Sequence, residues 1–488
     1  MGADIPAEIW LQIADFLPDH QLFAVNSFLF HVVMKAKYKN VHLKNVEPTN
    51  LRLVKRLLDP FVGGLIKGLH LRLQHVKDIV RHPDPERSIR NRITDALSKL
   101  PAPSRFKKGA PEVHDHSTYP FDEFIKGLIA AFPLMTNLEM FCIDSWDVLP
   151  TYDLRPFWAA AWSSFGPHLR RLSLGGNLDG YRIFIESNPP TASLKELAME
   201  FTNSVIRLDD AAELERAILQ HVVPFINRLA PQLEFLKLWS WASVELSSLF
   251  ANLDPFPSLH TFSIRTAFNK SFASDPSGLT NMLLQSASTL QQLELRLNPT
   301  GAAIDPTPER LLSEWLSTLM SDEKRPSSLQ TLQIYPTPTA VGFDALLSGI
   351  RANSGSLTTL GVRDRYLQLH EIQQLVEALG SQPVLTGLRL NVWRLTAEVV
   401  DFLALKLPHL RVLSLYVGDT PLNEPAMEVF HADMEKRSYP NWKLYDIGVW
   451  QGGFGMGEGT MSLLARCIPT VRSFWGTGEM DPDSHCLS

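Results

Sequence analysis

Arginine and aromatic residues recur at one fixed place in this 488-residue sequence, directly after the last apolar residue of a repeated phrase, Leu-x-x-Leu-x-Leu. Trp, Tyr and Arg dominate the binding energy of protein interfaces, and Arg binds carboxylate or phosphate through paired N–H groups. The recurrence therefore predicts a strip that binds a protein partner. Between residues 239 and 416 the position is occupied by Trp239, Arg265, Arg296, Tyr335, Arg363, Asn391 and Tyr416.

The phrase itself alternates apolar and polar residues, which is typical of a short strand with one buried face. Helix-like stretches lie between the copies, and a strand–helix unit of this size cannot bury its own apolar face. Neighbouring units must therefore stack, as in a solenoid. An ordinary α/β protein with leucine-rich strands is the alternative. The copies begin at Leu138, Leu169, Leu194, Leu233, Leu259, Leu290, Leu329, Leu357, Leu385, Leu410 and Trp442.

These copies resemble the leucine-rich repeat, and the resemblance covers roughly residues 135 to 450. It implies an α/β solenoid with parallel strands on its concave face and helices outside. The copies are spaced more widely and less evenly than in that family. The asparagine expected three residues after the last leucine is present only as Asn177 and Asn298, so we expect an irregular array without a continuous amide ladder.

In such an array the residues between the leucines face the concave side. A second row then lies one residue pair earlier than the first, and it contains Lys237, Ser263, Glu294, Gln333, Gly361, Arg389 and Ser414. We take Trp239, Arg265, Arg296, Tyr335, Arg363, Arg389 and Tyr416 as the candidate client-binding residues. Their guanidinium groups can converge on an acidic or phosphorylated segment. Ordinary solvated surface is the alternative.

The first 45 residues read as three short helical segments, too few to bury much surface alone. The run Ile5-Pro-Ala-Glu-Ile9-Trp, with Ile13, Phe16-Leu-Pro-Asp19, Leu22 and Val25, resembles the F-box. That family binds the Skp-type adaptor of cullin-based ubiquitin ligases. An N-terminal helical cap for the solenoid is the alternative. By motif, the resemblance implies adaptor contacts from Ile5, Pro6, Glu8, Ile9, Leu17 and Leu22.

The third segment departs from that family, because Asn26-Ser-Phe28-Leu-Phe30-His31 replaces its usual core. We therefore predict an F-box-like domain over residues 1–45 with an atypical third helix. Residues 46–120 form a linker that contains a first strand at 66–71 and a Pro- and charge-rich insertion at 81–118. Residues 121–488 form the leucine-rich-repeat solenoid with a C-terminal cap.

Other residues that could do chemistry lack partners in the sequence. His114 and His116 lie in a polar loop with no third ligand in view, which favours a solvated turn over a metal site. The glycine-rich run 450–459 matches neither the dinucleotide fingerprint nor a Walker loop. Cys142 has no histidine fixed near it. We therefore expect no catalytic residues, no metal and no cofactor.

Composition excludes further classes. A net charge of −6 argues against nucleic-acid binding, and three cysteines suit a reducing compartment. The sequence has no apolar run long enough for a membrane span and no signal peptide, so a cytoplasmic or nuclear protein is expected. Two functions remain: the substrate receptor of an SCF-type ubiquitin ligase, and a leucine-rich-repeat scaffold without a ligase.

Overall fold

The computed structural model describes residues 27–75, 77, 120–149, 152–189, 192–203, 210–241, 246–299, 306–380, 383–419, 427–451 and 454–477. These residues form two compact units. Unit 1 covers the chain to Leu194 together with Thr202–Asp209, and unit 2 comprises Lys195–Phe201 and Asp210–Ser488. The six predicted adaptor-contact residues and the predicted 81–118 insertion lie outside the described residues.

Unit 1 alternates strands with helices, and its strands pair in parallel and in sequence order. The strands are β1 (Asn40–Leu43), β2 (Gly68–Arg72), β3 (Met140–Asp144) and β4 (Arg171–Gly176). The helices are α1 (Ser27–Tyr38), α2 (Pro48–Leu57), α3 (Pro60–Gly63), α4 (Pro120–Ala131), α5 (Arg155–Ser164) and α6 (Leu178–Glu186). The strand predicted at 66–71 is β2, but it is not the first, because it pairs with β1 before it and with β3 after it.

The core of unit 1 is aromatic. Phe141 of β3 is fully buried, and its ring lies 5.2 Å from that of Phe165 and 6.5 Å from that of Phe157. Trp158 and Phe184 extend the same cluster, with ring centroids 5.1 Å apart and nearly perpendicular rings. Edge-to-face pairs of this kind add to the free energy of area burial. The helices of unit 1 are therefore fixed on the sheet by rings rather than by leucines alone.

Helix α1 includes residues 27–31 of the stretch that departs from the F-box pattern, and three of these residues make packing contacts. Leu29 is fully buried, while the ring of Phe30 stacks on that of Phe61 in α3 at 6.0 Å. His31 meets the same Phe61 ring edge-on at 5.2 Å. The atypical third segment is therefore a helix that packs against α3.

Unit 2 continues the alternation over a longer stretch. Its strands are β5 (Glu196–Phe201), β6 (Phe235–Ser240), β7 (Thr261–Phe268), β8 (Gln292–Pro299), β9 (Thr331–Ile334), β10 (Thr359–Leu367), β11 (Gly387–Val392), β12 (Val412–Val417), β13 (Asp446–Gln451) and β14 (Phe454–Gly455). Neighbours in sequence are neighbours in the sheet, and only the β13–β14 pair is antiparallel.

Helices fill the connections of unit 2. They are α7 (Ala211–Ala217), α8 (Val223–Leu229), α9 (Ser247–Ala251), α10 (Lys270–Ser274), α11 (Ser277–Gln285), α12 (Thr307–Ser321), α13 (Ala340–Ala352), α14 (Leu369–Ala378), α15 (Ala397–Lys406), α16 (Glu428–Met434) and α17 (Glu458–Cys467). The prediction of an α/β fold with parallel repeat strands is confirmed.

The repeat leucines stand in register across the strands. Phe262 of β7 pairs with Leu293 of β8, and Leu293 pairs with Leu332 of β9. All are 2 % exposed or less, as are Leu312 and Leu316 of α12. The apolar face of each strand is thus buried, as the alternation predicted.

The helical segment between β5 and β6 is interrupted. Asp210 caps α7 by accepting the N–H of Ala212, and a π-helical turn over Ile218–Val222 then separates α7 from α8. Pro224 stands in the first turn of α8, where it has no N–H to donate. The backbone hydrogen bonds of a π turn span one residue more than those of an α-helix, and this turn lies directly before the proline.

Instead of an asparagine ladder, hydroxyl groups tie successive turns together. In four of the copies, the Ser or Thr directly before the first leucine donates a hydrogen bond to a carbonyl in the turn of the previous copy. Thr289 Oγ1 donates to Leu259 O at 2.8 Å, and Ser356 Oγ donates to Leu329 O at 2.9 Å. Ser193 and Ser258 do the same to Pro167 O and Pro231 O. Asn177 instead caps α6.

Removing buried apolar volume from the leucine row should destabilise the fold. Leu293→Ala is expected to lower the free energy of unfolding by about 2–5 kcal/mol, because the side chain is buried and its cavity collapses only in part. Leu405→Ala is the matched control, since Leu405 is 75 % exposed on α15. Denaturant unfolding measures both, and equal losses would contradict the observed register.

The hydroxyl bridges should contribute separately. Thr289→Val keeps the shape of the side chain but leaves the Leu259 carbonyl without this donor, so we expect a loss of about 1 kcal/mol. Thr318→Val provides the comparison, because Thr318 donates only to Glu314 O within its own exposed helix turn. A loss at Thr318 as large as that at Thr289 would show that the bridge between copies adds nothing.

Candidate protein-binding face

Two rows of side chains cross unit 2 on the face that alternates away from the leucines. We call this face the open face. Row A contains Trp239, Arg265, Arg296, Tyr335, Arg363, Asn391 and Tyr416, and row B contains Lys237, Ser263, Glu294, Gln333, Gly361, Arg389 and Ser414. All seven candidate client-binding residues therefore lie on the same face of unit 2.

Strand register keeps most members of each row side by side. Trp239 pairs with Arg265, which pairs with Arg296. In row B, Gln333 pairs with Gly361, and Gly361 pairs with Arg389. Since paired residues on neighbouring strands are close, the open face presents two continuous rows rather than scattered residues.

One part of row A differs from the prediction. The register between β10 and β11 shifts between Gly361 and Tyr366, so that Asn391 pairs with Tyr366 and not with Arg363. Extra residues in β10 thus form a bulge that contains Arg363, Asp364 and Arg365. Row A pairs in register from Trp239 to Arg296 and again at Asn391 and Tyr416.

Arg365 anchors this bulge. Its guanidinium donates to the carbonyls of Thr337 and Thr339 and forms an ion pair with Glu371 at the start of α14. The side chain is only 9 % exposed. A buried arginine with carbonyl and carboxylate partners is a structural element, so Arg365 fixes the position of Asp364 and Arg363.

At one end of row A, cations lie on indole rings. The Lys237 ammonium is 3.3 Å from the centre of the Trp239 ring, and the Arg265 guanidinium is 3.5 Å from that of Trp241. Arg265 also lies 5.8 Å from the Trp239 ring. Trp239 is 7 % exposed, whereas Trp241 is 49 % exposed. These contacts orient the cations and leave one indole face available to a partner.

Hydrogen bonds connect the rows. Trp239 Nε1 donates to Ser263 Oγ at 2.9 Å, and Ser263 Oγ donates to a Glu294 carboxylate oxygen at 2.7 Å. Arg363 donates through Nε and Nη2 to Gln333 Oε1 at 3.0 and 2.5 Å, and its Nη2 lies 3.9 Å from Glu294. The side chains of the open face are thus held in fixed positions before any partner binds.

Burial and mutual repulsion act on the arginines. Loss of solvent, followed by the nearby charge of Arg389, lowers the pKa of Arg363 from its ordinary value to about 10. Loss of solvent also lowers the pKa of Arg265 and of Arg389. For Arg363 the destabilisation is therefore fully present below about pH 10 and lessens only in more alkaline solution.

A groove of about 150 Å³ lies beside this network. Its walls come from β6 to β9, and they include Lys237, Trp239 and Glu294. A groove lined by an indole, an ammonium and a carboxylate suits an extended peptide better than a small apolar ligand.

The other candidate sites from the sequence lie away from the open face. His114 and His116 fall outside the described residues. Cys142 is buried in β3, and the expectation that no histidine is fixed near it is wrong, because Cys142 pairs in register with His70 of β2. Within the described ranges, no group of three His, Cys, Asp or Glu side chains could hold a metal ion, and no helix is long and apolar enough to cross a membrane.

Sequence reasoning missed two contributors to the face. Trp241 continues the alternation of Trp239 by one residue pair, so the strand period could have revealed it. Asp364 could not have been found in that way, because only the bulge brings it to Arg296, whose Nη2 lies 3.1 Å from its carboxylate.

The fold is that of a strand–helix repeat protein, and its open face is polar and aromatic. No family model matches the sequence, and no curated protein matches it. Among solved structures, the chain is similar to one in the crystal structure of the Rad7 and Elc1 complex in yeast. The identity is 14 %, the TM-score is 0.36, and the match covers 62 % of this chain and 68 % of that chain. A likeness at this level gives no basis for inferring function.

The buried charge on the open face should reduce stability. Arg389 makes no side-chain hydrogen bond within the described structure, and its Nε is buried. Its guanidinium lies 4.2 Å from the Tyr416 ring, a contact that a Met side chain retains in part. We expect Arg389→Met to raise the free energy of unfolding by about 1 kcal/mol, because a desolvated charge is removed.

Thermal and denaturant unfolding measure this difference. Arg351→Met serves as the control, because Arg351 is exposed at the end of α13 and should change stability little. Lower stability of the Arg389 variant would mean that the contact with Tyr416 outweighs the loss of solvent.

Proposed function

We propose that this chain is a substrate-receptor subunit of an SCF-type ubiquitin ligase. The open face of unit 2 binds the client protein, and the N-terminal F-box-like domain binds a Skp-type adaptor and, through it, a cullin scaffold. The chain performs no catalysis of its own, and it acts in the cytoplasm, the nucleus or both.

The observation that carries the recognition part is the organised open face. Trp239, Arg265 and Trp241 form a stacked group, and Arg363 and Glu294 are fixed by hydrogen bonds and an ion pair. Side chains of these types, already ordered before binding, are those that contribute most to protein interfaces. They form no arrangement of nucleophile and base that would support catalysis.

The adaptor part is supported by the sequence of residues 5–22. Ile9, Leu17 and Leu22 form an apolar set that is too small to fold without a larger body or a partner. A Skp-type adaptor would supply such a partner.

A leucine-rich-repeat scaffold without a ligase is the second candidate. The same open face favours it, since that face serves either role equally well. Adaptor binding separates the two functions, because only the receptor requires it.

Disruption of residues 1–45 should abolish adaptor binding. We expect the chain without residues 1–45, and the full chain with Ile9→Asp and Leu22→Asp, to fail to co-purify with a Skp-type adaptor. Burying a charged group at an apolar interface costs more desolvation free energy than its contacts there provide. A pulldown with purified adaptor, together with a thermal melt of each variant, gives the measurement.

The matched control is Leu405→Asp with Val429→Asp, two apolar residues that are 75 % and 73 % exposed. This variant should retain adaptor binding. Undiminished capture by the truncated chain would overturn the receptor role and leave the scaffold.

A further inference from the structure

Three guanidinium groups cluster on the open face. Arg296 lies on β8, Arg363 on β10 and Arg389 on β11, and each acts electrostatically on the other two. The side chains of Arg296 and Arg363 are 13 % and 17 % exposed. Like charges brought this close and partly removed from water favour an anion among them.

The protein supplies fewer acceptors than these groups can use. Arg363 is held by the Gln333 amide oxygen and, more distantly, by Glu294. Arg296 meets Asp364, whereas Arg389 makes no side-chain hydrogen bond in the described structure. The Nε atoms of Arg296 and Arg389 are buried without a partner. Buried donors are nearly always paired, so these two N–H groups have capacity for a further acceptor.

Asp364 is one acceptor that the protein itself supplies to this cluster. It adopts a left-handed backbone conformation, with φ of 59°, inside the bulge that Arg365 anchors. Few residues other than glycine adopt this conformation. Its carboxylate is 44 % exposed while contacting Arg296, so it lies at the outer edge of the cluster. Asp364 is thus a built-in anion that an incoming one can displace.

The balance of charge favours a doubly charged ligand. The cations of the cluster are Arg296, Arg363 and Arg389, and the carboxylates that act on them are Glu294 and Asp364. Displacement of Asp364 leaves three positive groups against one carboxylate, a surplus of two. A phosphate monoester carries about −1.5 to −2 at neutral pH, whereas a carboxylate carries only one charge.

We propose that Arg296, Arg363 and Arg389 form a phosphate-binding subsite for a phosphorylated segment of a protein client, with Asp364 as its displaceable counter-ion. The assignment of this segment to a client protein rests on the proposed function. The aromatic groups on either side favour a peptide over a free anion. Trp239 and Trp241 lie toward β6, Tyr416 lies on β12, and the groove between β6 and β9 offers room for neighbouring residues.

The test uses the full chain and three fluorescent peptide pools of random flanking sequence. Each pool has one fixed central residue, which is phosphoserine, serine or glutamate. We expect the phosphoserine pool to bind best, with inorganic phosphate competing weakly. The double variant Arg363→Gln with Arg389→Gln should lower binding roughly ten-fold or more, because charge-assisted hydrogen bonds are lost.

Asp364→Asn gives the opposite expectation. Asn is among the residues that tolerate a positive φ, so the bulge should keep its shape while one competing charge is removed. Affinity for the phosphoserine pool should then rise several-fold. Arg351→Gln, a change on an outer helix, should leave binding unchanged. Thermal melts establish that each variant is folded.

The proposal is overturned if the serine and phosphoserine pools bind equally, or if the double arginine variant binds as well as the parent chain. Binding to vesicles that contain phosphoinositide, with no binding of the peptide pools, would overturn it in favour of a membrane ligand. Adaptor capture is measured separately. Loss of that capture with intact phosphopeptide binding would refute the ligase role and leave the subsite standing.

Discussion

The structure depends on one constraint, that the apolar face of each strand–helix unit can be buried only against its neighbours. Phe262, Leu293 and Leu332 satisfy it by standing in register on consecutive strands, nearly removed from solvent. Backbone hydrogen bonds between parallel strands set this register, and hydroxyl bridges such as Thr289 to Leu259 tie the turns together. Burial of one face then determines what the opposite face presents.

That dependence explains which parts could be predicted from sequence. In a strand of period two, the residue after a buried leucine must face the other way, so rows A and B follow from the leucines alone. The β10 bulge could not be predicted, because it rests on contacts of Arg365 with Thr337, Thr339 and Glu371. The Ser or Thr that precedes the first leucine in some copies is visible in the sequence, but its carbonyl acceptor, some 26 to 30 residues away, is not.

In the N-terminal region, prediction from the sequence is limited in a different way. A motif resemblance over residues 5–22 implies a partner, whereas the packing of the following helix depends on its surroundings. Phe30 and His31 belong to the stretch that predicts an atypical third helix, and in the structure both rings contact Phe61 of α3. Residues that fit poorly in an isolated three-helix domain can fit well where a larger body supplies the other half of the contact.

The open face shows how folding prepares a charged surface for recognition. Folding removes much of the solvent around Arg363 and Arg389, and this lowers the pKa of both. An anion that binds there meets guanidinium groups that have already lost part of their hydration, so less water must be displaced at the moment of binding. The same loss of solvent destabilises the free protein, and Asp364 offsets part of it at Arg296. Substitutions that stabilise this face should therefore be those that weaken its affinity for anions, since both effects arise from the same desolvated charges.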